Sequence, residues 1–461
     1  MEPEKCGAAL ENKCLKELML VCKHSDFVKD KLTAIVQDMA DSSMLYVKNP
    51  EKDFSRNRKL PFETVMNLLI SMGGNTLYKE LMDAQGYDLN TVTTSAFVQR
   101  RDKILPCAFE FLLNEFTTSC AKFKKHQGYR LLAIDGSSLN ISHDPFESET
   151  YFQNKPDWDG FNLLHLNALF DLCNRLYVDA IVQPGRKANE HKAMIDLVDR
   201  SKIDDKAIIV ADRGYESYNN LAHIERKGWN YVIRVKDIES SGGFLSGLNL
   251  PVEGEFDVPV SLVITRKQTK AVKSRPDIYK FLKKASPFDF CGLHHNAFYP
   301  LSFRVVRFLL PSGAYEAVVT NLDKDQFPPA SLREIYRLRW GIETSFRELK
   351  HTIGLASFHS KKREFITQEI FARLIMYNFV EIITSQIVIS QDDRLYEYKV
   401  NFTHAVHICR RFLRLRANEP PLDVEALIRK SISPIRPIRI GQSGVRKANS
   451  KSVFSFIYRI A

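Results

Sequence analysis

The apolar positions of this 461-residue chain change period along its length. Over roughly the first 125 residues they recur every three to four, which predicts helices near 15–21, 28–44, 62–72 and 109–116. The pattern then shortens into compact apolar runs. YRLLAI at 129–134 reads as a buried strand that delivers Asp135 and Gly136 at its end. Residues 163–172 and 176–182 are two further strands joined by a turn. A helix follows at 189–200 with Asn189 as its cap. AIIVA at 207–211 is another buried strand, ending in Asp212, Arg213 and Gly214, and a helix at 217–227 comes after it.

This order is a three-strand meander, a crossover helix and a further strand, so the last strand can run parallel to the first. If the two are neighbours, Asp135 and Asp212 meet at one edge of the sheet. Two carboxylates there make poor packing, because each resists burial unless paired or bound to a cation. Singly each reads as a turn residue; together they suggest function.

Residues 229–321 are strand-rich and read as an inserted β subdomain. It includes a hairpin turning at Pro311, Ser312 and Gly313, and a charged segment at 266–284 that could face phosphate. A helix is predicted over 331–354, opened by a capping box of Ser331 and Glu334 and stopped by Gly354. Its buried stripe is Ile335, Leu338, Ile342, Phe346, Leu349 and Ile353. Beside it Tyr336, Arg339, Glu343 and Lys350 fall within an arc of roughly 60°. These four form either a solvated charge ladder or the wall of an active site. Gly341 favours the second reading, since a helix-interior glycine costs about 1 kcal/mol and is tolerated where something approaches closely. A long buried helix at 365–389 and a basic tail complete the chain.

Composition narrows the partners. The net charge is +11, with an isoelectric point near 9.1, which favours an anionic partner and nucleic acid in particular. Around 91–105, Arg100, Arg101 and Lys103 follow Thr and Ser caps. This is either the second helix of a helix-turn-helix against DNA or a solvated basic face. Arg410, Arg411, Arg414, Arg416, Arg429, Lys430, Arg436, Arg439, Arg446 and Lys447 could meet the DNA backbone or simply face water. The eight cysteines show no zinc spacing, Cys291 with His294 and His295 included, and suit a reducing cytoplasm. No apolar run predicts a membrane span and the N-terminus lacks a secretory pattern.

Tyr336, Arg339, Glu343 and Lys350 reproduce, gap for gap, the YREK signature of DDE transposases of the bacterial insertion-sequence-four family. IDGSSL around Asp135, ADRGYES around Asp212 and the VIRVK that follows resemble the other two blocks. The resemblance covers roughly residues 55–385. It implies an α/β chain with an RNase H-like catalytic core, in which Asp135, Asp212 and Glu343 are the catalytic acids and bind metal. Two ions of Mg²⁺ or Mn²⁺ are expected. Tyr336, Arg339 and Lys350 become contacts to DNA, with Arg213, Arg100 and Arg101 as further DNA-binding candidates. Double-stranded DNA at transposon ends and target is the expected partner. A homodimer in the synaptic complex is expected too, acting in the bacterial cytoplasm at the nucleoid. The corresponding divisions are a helical DNA-binding region at 1–125, the core at 126–236 and 326–392, a β-rich insertion at 237–325, and a helical, basic C-terminal region at 393–461. Relatives use a tryptophan of the insertion to handle a flipped base during hairpin formation. Here Trp158, Trp229 and Trp340 lie outside the depth of that segment, leaving Phe298 and Tyr299 as substitutes.

The activity implied is metal-dependent cleavage and transfer of DNA strands at the terminal inverted repeats of an insertion sequence, by cut and paste. Two other readings stay open: a nuclease of the same fold that cuts without joining, and a catalytically silent DNA-binding regulator derived from a transposase.

Overall fold

The computed structural model describes residues 23–435 except 57, 121–122, 156, 158, 239–242, 293–296, 390, 392–396 and 417–418. The helix expected at 15–21, Trp158, His294, His295, Arg436, Arg439, Arg446 and Lys447 lie outside the described residues. The chain forms two compact units, one of residues 1–122 with 348–461 and one of residues 123–347.

The second unit is built on a ten-stranded sheet. Its strands are β1 (Arg130–Ile141), β2 (Tyr151–Phe152), β3 (Phe161–Asp171), β4 (Leu176–Pro184), β5 (Ala207–Ala211), β6 (Asn230–Val235), β7 (Phe256–Thr265), β8 (Tyr279–Phe281), β9 (Phe298–Leu309) and β10 (Tyr315–Thr320). The order is β2-β3-β1-β5-β6-β10-β9-β7-β8, with β4 also paired to β3. As the crossover argument requires, β5 lies parallel to β1, with Ala133 opposite Val210. β6 extends the parallel set beside β5. The strands of the expected β-rich insertion continue this sheet: β10 pairs antiparallel with β6, Ala317 standing opposite Val235, and β9 and β7 follow.

Strand alternation then sorts the side chains. Leu132, Ile134, Ile209 and Ala211 point to one face, where helices α1 (Glu190–Arg200) and α2 (Tyr218–Arg226) supply Met194, Leu197, Leu221 and Ile224. Leu131, Ile208 and Val210 point to the other, where helix α3 (Pro329–Leu338) supplies Leu332, Ile335 and Tyr336. Helices on both faces explain why β5 is apolar at every position.

The helix expected at 331–354 is two. α3 ends at Leu338, and α4 (Trp340–His351) begins after a break at Arg339. The capping box does not form. Pro329 occupies the first turn with Pro328 as the cap residue, so Ser331 is already inside the helix. Gly354 does end the segment, at φ +94°. Ser345 ties α4 to the sheet through a 2.9 Å hydrogen bond with the buried Tyr177 hydroxyl. A Cβ at Gly341 would sit 3.2 Å from Leu172 Cδ2, which is the close approach its glycine suggested.

The helical unit surrounds the helix Arg363–Thr384, most of which is buried. Helices His24–Asp41, Phe62–Ser71, Cys107–Cys120 and Phe402–Leu413 supply Val28, Leu69, Phe116 and Cys409 to its core. Charged groups cross-link distant parts of this unit from inside. Glu369 accepts from Arg101 Nη1 at 2.9 Å and from the His359 backbone at 3.0 Å. Glu80 accepts from Arg414 at 2.6 Å, and Arg373 donates to the carbonyls of Met72 and Gly73. Among the described residues no helix is long and apolar enough to cross a membrane.

Candidate active site

The β1–β5 register carries two steps past Ala133 and Val210 to Asp135 and Asp212, at the edge where β5 ends. By alternation both carboxylates leave the sheet on the α3 and α4 face. Asp135 Oδ1 accepts from the Gly136 amide at 2.8 Å. Asp212 caps the short turn after β5, its Oδ1 accepting from the Gly214 amide at 2.8 Å. Glu343 enters from the first turn of α4.

Arg339, at the break between α3 and α4, joins two of these acids, Glu343 and Asp135. Its Nη2 lies 2.7 Å from Glu343 Oε1 and its Nη1 lies 3.9 Å from Asp135 Oδ2. Burial pushes the Asp135 carboxyl up to about 6; the Gly136 amide and Arg339 pull it down, while Asp212 and Glu343 push it up. Among the described residues no three His, Cys, Asp or Glu side chains are grouped closely enough to hold a metal ion. The donor chemistry nevertheless fits a hard divalent cation, since the two carboxylates that share Arg339, with Asp212 at the same sheet edge, offer only oxygen.

The other expected residues are placed unequally. Tyr336 is 5% exposed, its ring packed in the core and 5.6 Å from the Arg339 guanidinium carbon. Arg339 is itself buried and engaged by the acids, so it stands as their counter-charge rather than as a free cation. Arg213 is exposed beside Asp212. Lys350 lies in the last turn of α4, where burial lowers its ammonium.

Arg101 needs correction as a DNA contact. It is fully buried, donating to Gln368, Glu369 and the Phe365 carbonyl, and holds the helical unit together. Arg410 and Arg414 are likewise spent internally, on the Ile353 carbonyl and on Glu80. Arg266 donates to the carbonyls of Cys291, Lys283 and Ser286, so it organises its loop. Arg100 donates its Nε to the Leu60 carbonyl at 2.8 Å but also borders an open surface. It stacks over Phe54 at 4.0 Å and lines a groove of about 1100 Å³ together with Lys52, Arg56, Arg58, Lys59 and Lys103. Its buried Nη2 has no hydrogen-bond partner. Phe298 is 45% exposed, whereas Tyr299 packs against Phe288 and Phe290.

Sequence reasoning passed over Glu190 and His165. Their side chains meet at 2.9 Å, Glu190 Oε1 to His165 Nε2, directly behind Gly136. The signal was available. β4 runs back toward the edge where β1 delivers Asp135, so the helix capped by Asn189 had to begin there.

A model of the family described as transposase DDE domain matches residues 126–379. InsL, the transposase assigned to insertion sequence element IS186A of Escherichia coli (strain K12), is 32% identical over 334 residues, spanning 67% of this chain and 81% of InsL. The transposase for insertion sequence element IS421 of Escherichia coli is 32% identical over 187 residues, 36% of this chain and 48% of its own length. Among solved structures, the piggyBac transposase synaptic complex with hairpin DNA aligns with a TM-score of 0.41 at 11% identity, covering 86% of this chain and 81% of that one.

Proposed function

The chain belongs to the transposase DDE domain family and is an insertion-sequence transposase, and from that premise we propose that Asp135, Asp212 and Glu343 are the acids with which it cuts and joins DNA. The observation that carries this reading is that Asp135 from β1 and Glu343 from α4 share Arg339, while the β1–β5 register brings Asp212 to the same sheet edge as Asp135. The order β4-β3-β1-β5-β6, with β1, β5 and β6 parallel, supports an RNase H-like core.

Strand transfer is an in-line displacement at phosphorus, by water or a 3′-hydroxyl. Asp135, Asp212 and Glu343 would hold divalent metal, Mg²⁺ or Mn²⁺ and two ions in our reading. Bound there, the metal supplies charge for the attacking and leaving oxygens. The chain's own residues do the rest. Asp135 is oriented by the Gly136 amide and Asp212 by the Gly214 amide, so both carboxylates are aimed before DNA arrives. Arg339 fixes Glu343 and moderates the repulsion among the acids. Arg213, exposed beside Asp212, is placed to meet a phosphate, and Lys350 extends the same helix as Glu343. Tyr336 supports Arg339 from the core and in our reading borders the DNA end. The groove at Arg100 is the candidate surface for DNA backbone in the helical unit, its six cations outnumbering the one acid, Glu51. The active form is a homodimer on paired ends.

The test is incubation of the purified protein with a labelled duplex carrying the element's own end, with Mg²⁺ or Mn²⁺, beside Glu343→Gln. Wild type nicks at the end and joins it to target DNA, while the variant binds without cutting. Cleavage by the variant at the wild-type rate would remove Glu343 from the chemistry. Cutting without joining would point to the nuclease reading.

A further inference from the structure

The acids have a neighbour on the opposite face of the sheet. Glu190 is the first residue of α1, and Asn189 caps that helix by accepting from the Lys192 amide at 3.0 Å. The Glu190 carboxylate reaches the sheet edge because residue 136 has no side chain. A Cβ there would stand 2.5 Å from Glu190 Oε1 and 2.4 Å from His165 Nε2. The second carboxylate oxygen faces the other acid's turn. Glu190 Oε2 is 3.8 Å, and Asp212 Oδ1 3.0 Å, from the position a Cβ on Gly214 would take. Glu190 therefore touches the glycine after Asp135 and nears the glycine whose amide Asp212 holds.

Tyr215 supplies an independent observation. It follows Gly214, is 1% exposed, and its hydroxyl has no hydrogen-bond partner. Burial first, then the charges of Glu190, Asp135 and Asp212, oppose loss of its proton. The hydroxyl is thus a buried donor left unpaired one residue after the glycine whose amide Asp212 holds, and leaving such a donor unpaired is costly. An acid that served only to favour a helix N-terminus would need neither the gap at Gly136 nor this hydroxyl.

We propose that Glu190, gripped by His165 behind Gly136, is a fourth acid of the centre, a positioning residue that raises the affinity of Asp135 and Asp212 for a divalent cation. This rests on the assignment of Asp135 and Asp212 to the acid centre. Glu190 acts through its charge and through its contact behind Gly136, so Gln keeps the shape and the hydrogen bond to His165 but loses the charge.

The experiment is a Mn²⁺ titration of the full-length protein without DNA, read by loss of the free-ion electron paramagnetic resonance signal. Each variant's thermal melt is recorded alongside. Glu190→Gln should bind Mn²⁺ about tenfold more weakly, as expected for removal of one nearby charge in a partly buried site. Tyr215→Phe should weaken it by a smaller factor, and Gly136→Ala should resemble Glu190→Gln because the new methyl displaces that carboxylate. Asp135→Asn should abolish tight binding. If Glu190→Gln binds like wild type while Asp135→Asn does not, the fourth-acid role is overturned and the acid centre stands. If Asp135→Asn also binds like wild type, the acid centre itself fails. A lower melting temperature for Glu190→Gln with unchanged Mn²⁺ affinity would make Glu190 structural only. Should Glu190→Gln not fold, Gly136→Ala, which displaces the same carboxylate, takes its place, and wild-type affinity in that variant would overturn the positioning role.

Discussion

Arg339 reaches forward one helical turn to Glu343, Nη2 to Oε1 at 2.7 Å, across the point where α3 gives way to α4. The guanidinium is planar and also faces Asp135 at 3.9 Å, so one side chain serves two acids. A lysine brings a single point charge on a flexible stem and cannot do both. Arg339→Lys should therefore lose about 1.5–3 kcal/mol of charge-assisted bonding, and cleavage should fall roughly 10- to 100-fold. Arg339→Ala should fall further. Single-turnover cleavage of a pre-bound duplex measures this without confusion from DNA affinity.

Arg100 and Arg101 are adjacent in sequence and opposite in duty. Arg101→Ala removes the cation bonded to Oε1 of the buried Glu369, leaving His359 and Arg373 beside that carboxylate, and should cost about 3–5 kcal/mol in urea unfolding. Arg100→Ala should leave stability within about 1 kcal/mol. Its effect should appear in the salt dependence of DNA binding, where the slope drops by about one.

The helical unit should be acid-sensitive. Glu80 and Glu369 are held at about 2 against a usual 4.5. Burial opposes this, but Arg414 for Glu80, and His359 with Arg101 for Glu369, overcome it. A carboxylate whose folded value is depressed adds stability above its unfolded value and loses it as pH falls through the folded one. Stability should thus decline from about pH 4.5 down to about pH 2. Urea midpoints measured across that window should fall less steeply in Glu369→Gln, from a lower starting value.

Gly354 sits at φ +94°, and a Cβ there would lie 3.1 Å from the Gly74 amide nitrogen and 3.3 Å from the Gly73 carbonyl carbon. Both the backbone conformation and the space oppose any side chain. Gly354→Ala should destabilise by more than about 1 kcal/mol, seen as a lower melting temperature, whereas Gly128→Ala meets no neighbour within 4 Å and carries only the cost of its φ.

The sheet centre was legible because apolar runs with helices on both faces leave little ambiguity: AIIVA coincides with β5, and the meander and crossover placed β5 beside β1. Where sequence reasoning went astray, a competing local effect had won. Ser331 lost the cap to the prolines before it. Arg101 read as one of a basic run, yet it stands one turn beyond Phe97, and both side chains are buried. That spacing marked the inward face, but a long cation is easily assigned to water. Glu190 was invisible as chemistry because a first-turn glutamate already has an ordinary explanation at the helix terminus.

Val235 and Ala317 stand opposite each other on neighbouring strands, although some eighty residues separate them. Between them β7, β8 and β9 join the same sheet beyond β10. The loops that connect these strands can lengthen or shrink while β10 still arrives beside β6, because closing a longer loop adds only about 0.6 kcal/mol per doubling. α3 and α4 start from the end of β10, so Glu343 keeps its address whatever those loops become. In this architecture the distance between the second and third acids along the chain is free to vary through evolution, and their distance in space is not.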